Sequence, residues 1–201
     1  MKILLIGKTG QIGDELKNLA GDLGTLIAVD KKQLDLSHPE SIEASILSIQ
    51  PEIIINAAAY TGVDKAEEEP HLAMAINGTG PGLLAKAAKK VGAGLIHYST
   101  DYVFDGLSET PYKEEDLPNP LSVYGKSKLE GEKALDKAGI PYLILRTSWV
   151  YSHRGKNFLL SIQRLAKEKD SLRIVNDQIG SPTWARSIAK GTHKILRQCL
   201  N

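Results

Sequence analysis

Short aliphatic runs recur along the chain with helix-length stretches between them, and that alternation constrains the fold more than any other feature. The runs are Lys2–Gly7, Thr25–Asp30, Glu52–Ala57, Gly94–Ser99 and Pro141–Thr147, with a weaker one at Leu172–Val175. They are continuous rather than alternating in polarity, as suits strands buried on both faces. Segments near 11–23, 39–50, 69–91, 122–138, 156–169 and 184–200 carry the helical period. The pattern predicts an α/β chain with a doubly wound parallel sheet. Pro39 sits at a helix start, where a missing N–H costs little. Gly24, Gly92 and Gly139 follow helices, where each can take a left-handed cap.

Length and charge narrow the function classes. The 201 residues fit one large domain or two small ones. Twenty-five Lys and Arg against 24 Asp and Glu leave a net charge of +1, without the broad positive footprint of a nucleic-acid binder. A single cysteine, Cys199, rules out an internal disulfide or a cysteine-based zinc site. The N-terminal apolar run, Ile3–Ile6, stops well short of the roughly 7–15 residues of a signal peptide's apolar core. No run reaches membrane-span length. A cytoplasmic protein without membrane or nucleic-acid partners is the expectation.

The first strand leads into Gly7-Lys-Thr-Gly10-Gln11-Ile12-Gly13, which opens the first helix. Glycines here let the backbone approach a pyrophosphate whose charge is met by the helix N-terminus. Gly-Lys-Thr also occurs in triphosphate-binding loops, but those need a glycine where Lys2 stands. Three glycines alone could make an ordinary strand-to-helix turn; their placement after an N-terminal strand favours dinucleotide binding. Asp30 ends the second strand, near where an acidic residue would bind the adenosine ribose. Lys31 and Lys32 could instead neutralise a 2′-phosphate, so NADH and NADPH both remain open. Asp35 and Leu36 follow and could flank the adenine, though the pair alone says little.

Tyr124 and Lys128 stand four apart on one helix face, so an ammonium can lower the phenol's pKa from its usual value of about 10. A tyrosine tuned in this way can give a proton to a carbonyl oxygen as hydride reaches the carbon. Thr100 ends the fourth strand, at the sheet edge where such folds bind ligands, and its hydroxyl could hold the substrate carbonyl toward Tyr124. Asn77 reads either as a buried amide supporting a water or the lysine, or as a surface residue.

Longer blocks carry a resemblance: Asn56-Ala-Ala-Ala-Tyr-Thr-Gly-Val-Asp-Lys-Ala-Glu67, His97-Tyr-Ser-Thr-Asp-Tyr-Val-Phe-Asp-Gly106, Val123–Glu132, Arg146-Thr-Ser-Trp-Val-Tyr151 and Asn176–Thr183. With the glycine loop they resemble, in order and over the whole chain, the extended short-chain dehydrogenases/reductases, and within them the dTDP-4-dehydrorhamnose reductases. The resemblance implies a Rossmann-type sheet and reduction of the 4-keto group of dTDP-6-deoxy-L-lyxo-4-hexulose to dTDP-L-rhamnose by NADPH or NADH. It implies Tyr124 as proton donor, Lys128 on the nicotinamide ribose, and Thr100 completing the set. Gly7, Gly10, Gln11, Ile12 and Gly13 would form the pyrophosphate loop. Asp30 would hold the ribose, with Asp35 and Leu36 at the adenine. Ala59, Tyr60, Thr61 and Tyr98 would line the cofactor groove, while Thr100, Asp101 and Trp149 face the sugar nucleotide. Tyr60, Tyr98 and Trp149 have packing as their alternative reading.

The acidic cluster Asp64, Glu67, Glu68 and Glu69 reads as a solvated helix start. Some family members are linked to Mg²⁺, but no metal ligand is assigned. Residues 1–150 are expected to form the dinucleotide-binding domain with the Thr/Tyr/Lys set. Residues 151–201 would supply the last elements and part of a small substrate lobe. Family members continue beyond Asn201 with the rest of that lobe, which closes over the sugar and contributes to a homodimer. Two alternatives share the scaffold: a nucleotide-sugar epimerase or dehydratase, and a non-catalytic regulatory subunit.

Overall fold

The computed structural model describes residues 1–199. The chain runs β1 (Lys2–Ile6), α1 (Gln11–Leu19), a 3-10 turn, β2 (Thr25–Val29), α2 (Pro39–Ile49) and β3 (Ile53–Asn56). Then come α3 (Val63–Glu68), α4 (Pro70–Met74), a π-helical turn (Ala75–Thr79), α5 (Gly80–Val91) and β4 (Gly94–Thr100). The remainder is α6 (Val123–Asp136), β5 (Tyr142–Thr147), β6 (Val150–Tyr151), α7 (Phe158–Glu168), β7 (Thr183–Trp184) and α8 (Ala185–Cys199). Five strands form one parallel sheet in the order β2-β1-β3-β4-β5. The order reverses at β1, which sets the crevice outside the carboxyl ends of β1 and β3.

The continuous apolar runs are explained by two cores. Leu4 and Ile6 face one side, with Ile42, Ile46, Leu84 and Leu135 from α2, α5 and α6. Ile3 and Leu5 face the other, with Leu16 of α1 and Ile188, Ala189 and Leu196 of α8. Alternate residues of β1 thus serve opposite cores, so neither face tolerates a polar side chain.

Three local expectations need correction. Leu172–Val175 forms no strand: Ile174 and Val175 are exposed, and no neighbouring strand pairs with them. The segment 69–91 is not one uniform helix. Glu69 leaves helical geometry at φ −121°, and the π turn interrupts the rest. Gly92 takes the left-handed cap at φ 72°, whereas Gly24 sits at φ 140°, outside it. A side chain at Gly24 would also collide with the Met1 backbone.

Candidate active site

A cleft of about 210 Å³ opens at the carboxyl ends of β1, β2 and β3. Gly7, Thr9 and Gly10 form its floor, Asp35 and Leu36 one flank, and Ala57–Ala59 the other. Gly10 is the N-cap of α1, and no side chain caps that end, so the first-turn N–H groups remain available to an anion. The three glycines differ in role. A Cβ on Gly13 would run into the Gly7 carbonyl, and one on Gly7 would lie 2.8 Å or less from Ala57 C and Ala58 N. These two let the loop close on itself and on β3. A Cβ on Gly10 would meet only Gly7 O, at 3.4 Å, and Ala57 O, at 3.9 Å. Gly10 therefore keeps open the space a pyrophosphate needs, and the cradle fits a dinucleotide.

The groups expected at the adenosine end divide. Asp35 and Leu36 line the cleft, as does Lys31. Asp30 lies just beyond it, ion-paired with Lys8 at 3.4 Å and accepting the Lys32 N–H. Lys31 pairs with Asp35 at 3.6 Å, and Lys32 is exposed. Gln11 turns its side chain away from the cleft. Its Oε1 accepts from Ser152 Oγ and Asn157 Nδ2, while Nε2 reaches Val150 O, leaving only its backbone for a phosphate. Ile12 packs its side chain into the α1–α8 core.

Asn77 lies in the π turn, a geometry found often at functional sites, and is 1% exposed. Its Oδ1 accepts the Tyr60 N–H at 2.8 Å, and its Nδ2 donates to Tyr60 O at 2.9 Å and Ser127 Oγ at 3.1 Å. It supports neither the lysine nor a surface. It clamps the Ala57–Gly62 segment to α6. Tyr60 is thereby held by its backbone, and its hydroxyl donates to Glu69. Thr61 is exposed on the same segment, as is Ala59.

Ser122 caps α6 through the Gly125 N–H and sets the start of the helix that carries Tyr124 and Lys128. The Tyr124 ring packs edge-on against Tyr102, with centroids 5.6 Å apart. Burial of its hydroxyl end pushes the phenol up to about 12, against a lowering pull from the neighbouring Thr100 hydroxyl. Lys128 is fully buried; desolvation brings its ammonium down to about 7, with Glu132 opposing. Its Nζ donates to Tyr98 O at 2.6 Å and lies 3.2 Å from His97 Nε2. The expected lowering of the phenol by Lys128 is therefore not what this arrangement gives, because the lysine spends its contacts on β4.

Tyr98 also needs correction. Its side chain points into the α1–α8 core, where its hydroxyl pairs with Thr192 Oγ1 at 2.7 Å, and burial pushes its pKa up. Tyr98 serves the site through its carbonyl, not its ring. Thr100 Oγ1 donates to Asp101 Oδ1 at 3.1 Å, and Ser148 Oγ donates to Asp101 Oδ2 at 2.6 Å. Trp149 is not core: it is 43% exposed and adopts φ +44°. Its indole lies on Gly180, where a Cβ would sit 2.6 Å from Trp149 Cε2. A left-handed aromatic residue is a strained one, and strain of this kind collects at ligand sites.

Asn56, His97, Ser127 and Ser148 escaped the sequence reading as site residues. A signal for the first two was present: Asn56 and His97 are polar within runs destined for burial on both faces, so each needed a polar partner. They found each other, with Asn56 Nδ2 3.1 Å from His97 Nδ1. Among the described residues, no group of three or more His, Cys, Asp or Glu side chains is placed to hold a metal ion. No helix among them is long and apolar enough to cross a membrane.

Known proteins resemble this chain in sequence and fold. The family model described as RmlD substrate binding domain covers residues 1–201. The dTDP-4-dehydrorhamnose reductase of Escherichia coli K12 is 51% identical over 205 residues, covering all of this chain and 69% of that protein. The crystal structure of the Clostridium acetobutylicum dTDP-4-dehydrorhamnose reductase superposes with a TM-score of 0.95 at 42% identity, covering 98% of this chain and 71% of that one. The Bacillus anthracis dTDP-4-dehydrorhamnose reductase, solved with NADP, gives 0.94 at 39% identity with the same coverage. The Thermus thermophilus UDP-glucose 4-epimerase, solved with NAD, shares the fold at 22% identity, with a TM-score of 0.82 over 98% of this chain and 74% of that one. The family model over residues 1–201 and relatives matched along the whole of this chain lead to one assignment: the chain belongs to the RmlD substrate binding domain family, that of the dTDP-4-dehydrorhamnose reductases.

Proposed function

We propose that this chain catalyses NAD(P)H-dependent reduction of the 4-keto group of dTDP-6-deoxy-L-lyxo-4-hexulose to dTDP-L-rhamnose, the last step toward a rhamnose donor for polysaccharide synthesis. The observation that carries the reading is the enclosed Tyr124 hydroxyl beside Thr100, at the end of the strand whose Tyr98 carbonyl holds Lys128. Residues 1–150 bind the dinucleotide through Gly10 and the backbone of Gln11, Ile12 and Gly13, with Asp35 and Leu36 at the adenosine end. When bound, the dinucleotide supplies the hydride.

The chain's own residues handle the proton. Tyr124, protonated throughout the neutral range because burial raises its pKa, donates to the carbonyl oxygen as negative charge develops there. Thr100 holds that oxygen toward the phenol once its single hydroxyl hydrogen turns from Asp101 Oδ1 to the carbonyl oxygen, while the Tyr102 N–H keeps donating to Thr100 Oγ1. Lys128 binds the nicotinamide ribose. Trp149 offers a flat apolar face to the deoxysugar.

NAD(P)H absorbance followed with the dTDP-keto sugar tests the reading. Wild type turns over, whereas Tyr124→Phe binds the dinucleotide with unchanged affinity and loses at least ~100-fold in turnover, the lower end for general acid catalysis. Wild type that binds the dinucleotide but oxidises none of it overturns the proposal. Protein purified with tightly held NAD⁺ favours an epimerase or dehydratase instead. Running NADH and NADPH in parallel tests whether Lys8 and Lys31, beside the adenosine end, favour the 2′-phosphate.

A further inference from the structure

Beneath Tyr124 lies a closed polar chain in which each partner fixes the next. The Ala58 N–H donates to Asn56 Oδ1 at 3.2 Å, which orients the Asn56 amide and leaves Nδ2 as the group facing His97. Asn56 Nδ2 can only donate, so His97 Nδ1 must accept. Burial pushes the His97 pKa well down, with the Lys128 charge adding to the effect, so the ring is neutral and carries one hydrogen. With Nδ1 accepting, that hydrogen resides on Nε2, which points at Lys128 Nζ 3.2 Å away. A full ammonium has no lone pair to receive it. An amine does, and can still donate to Tyr98 O.

We infer that His97, held in its Nε2–H tautomer by Asn56, is a positioning residue that stabilises the neutral amine of Lys128 and so sets the protonation level of the lysine beside the reacting tyrosine. The surrounding charges leave this role to His97. From α6, Glu132 favours the ammonium, but both its oxygens are held by Arg146 of β5, at 3.0 and 2.7 Å. Tyr124, on the same helix, stays a neutral phenol, and Asp101, after β4, accepts from Thr100 and Ser148. From β4, Tyr98 presents its carbonyl, and its hydroxyl is bonded on the opposite side of the sheet. Nothing among the described residues gives Lys128 Nζ a direct carboxylate partner. The consequence for catalysis rests on the reductase reading; the tautomer and the lysine's titration do not.

Two NMR measurements on the ligand-free chain test the inference. In ¹⁵N-histidine-labelled protein, His97 is expected as the neutral Nε2–H tautomer. In Asn56→Asp, whose carboxylate accepts rather than donates, the hydrogen moves to Nδ1. In [ε-¹³C]lysine-labelled protein, with the Lys128 signal assigned by its loss in Lys128→Met, the titration midpoint rises in the order wild type, His97→Met, His97→Gln. Glutamine can turn an acceptor oxygen to the ammonium, and its midpoint is expected about one pH unit above wild type, a tenfold gain in proton affinity. A merely structural role for His97 would move the Met and Gln variants alike. The inference fails if wild-type His97 carries its hydrogen on Nδ1, if Asn56→Asp leaves it on Nε2, or if the Gln midpoint lies at or below that of Met. The wild-type tautomer decides the matter even if none of the variants folds. A chain that folds this way but reduces no keto sugar leaves these results standing and overturns only the proposed activity.

Discussion

Replacing Asn77 with alanine isolates what the amide contributes to the site. The change strips the Tyr60 N–H and C=O of their partners and removes one of Ser127's two hydrogen bonds. Tyr60 is half-buried, so water recovers part of the loss, and each orphaned backbone group costs about 1–2 kcal/mol. The lost Ser127 bond adds about 0.5–1 kcal/mol. Alanine's better helix propensity returns about 0.5 kcal/mol. The sum is about 2–4.5 kcal/mol, which lowers the melting temperature of a chain this size by roughly 4–18 °C. The same bonds hold the segment that forms one wall of the cleft, so dinucleotide affinity falls about tenfold, or ~1.4 kcal/mol. Thermal unfolding by circular dichroism and a fluorescence titration with NADPH measure the two effects. Ser127→Ala, which leaves the Tyr60 clamp intact, costs less than about half as much. An Asn77→Ala protein that melts within about 1 °C of wild type refutes the clamp, since a loss of even ~1 kcal/mol moves Tm further.

The glycines of the cradle separate under substitution. Gly10→Ala folds with a stability change within about 1 kcal/mol, because its backbone (φ −72°) suits alanine, yet binds NADPH at least ~10-fold more weakly. Gly13→Ala loses stability outright in denaturant unfolding, since its Cβ meets the Gly7 carbonyl. Equal behaviour of the two variants contradicts the distinction. Asp105 gives a pH prediction. Hydrogen bonds from the Tyr112 hydroxyl, the Asn119 amide and the Leu107 N–H hold its carboxyl down at about 2. With the folded value below the unfolded value of about 3.9, its contribution to ordering the 105–121 loop is full above that pH and fades as pH falls through about 2. Carboxyl ¹³C NMR should show that low midpoint, and an ordinary carboxylate titration would contradict it.

The parallel sheet and the cradle were legible because both depend on local signals. A run such as Ile3–Ile6 needs apolar partners on two faces, and three glycines between a strand and a helix mark a tight turn onto a helix N-terminus. Tyr124 and Lys128 share a helix face by arithmetic alone. What escaped the sequence depends on partners far apart in the chain. Asn77 reads as ambiguous until Tyr60, 17 residues earlier, and Ser127, 50 residues later, are brought to it. The buried lysine's partner is His97, 31 residues away, so the expected pairing with Tyr124 gave way to contacts with β4. Leu172–Val175 has the composition of a strand, but a strand also needs a neighbour, and composition does not supply one. The misplaced Tyr98 ring was recoverable in principle: on a strand, its side chain must face opposite His97.

Helix α8 has a consequence for how the polypeptide reaches its shape. It is the last described element, yet it lies against α1, near the other end of the chain, with His193 bonded to Asp22 and Thr192 to Tyr98. Until residues 185–199 arrive, the core holding Leu16, Leu23, Ile96 and Tyr98 lacks the Ile188, Ala189 and Leu196 side chains that complete it. During synthesis the nascent chain therefore completes one core before the other, and keeps part of the second core's apolar surface in water until α8 has left the ribosome.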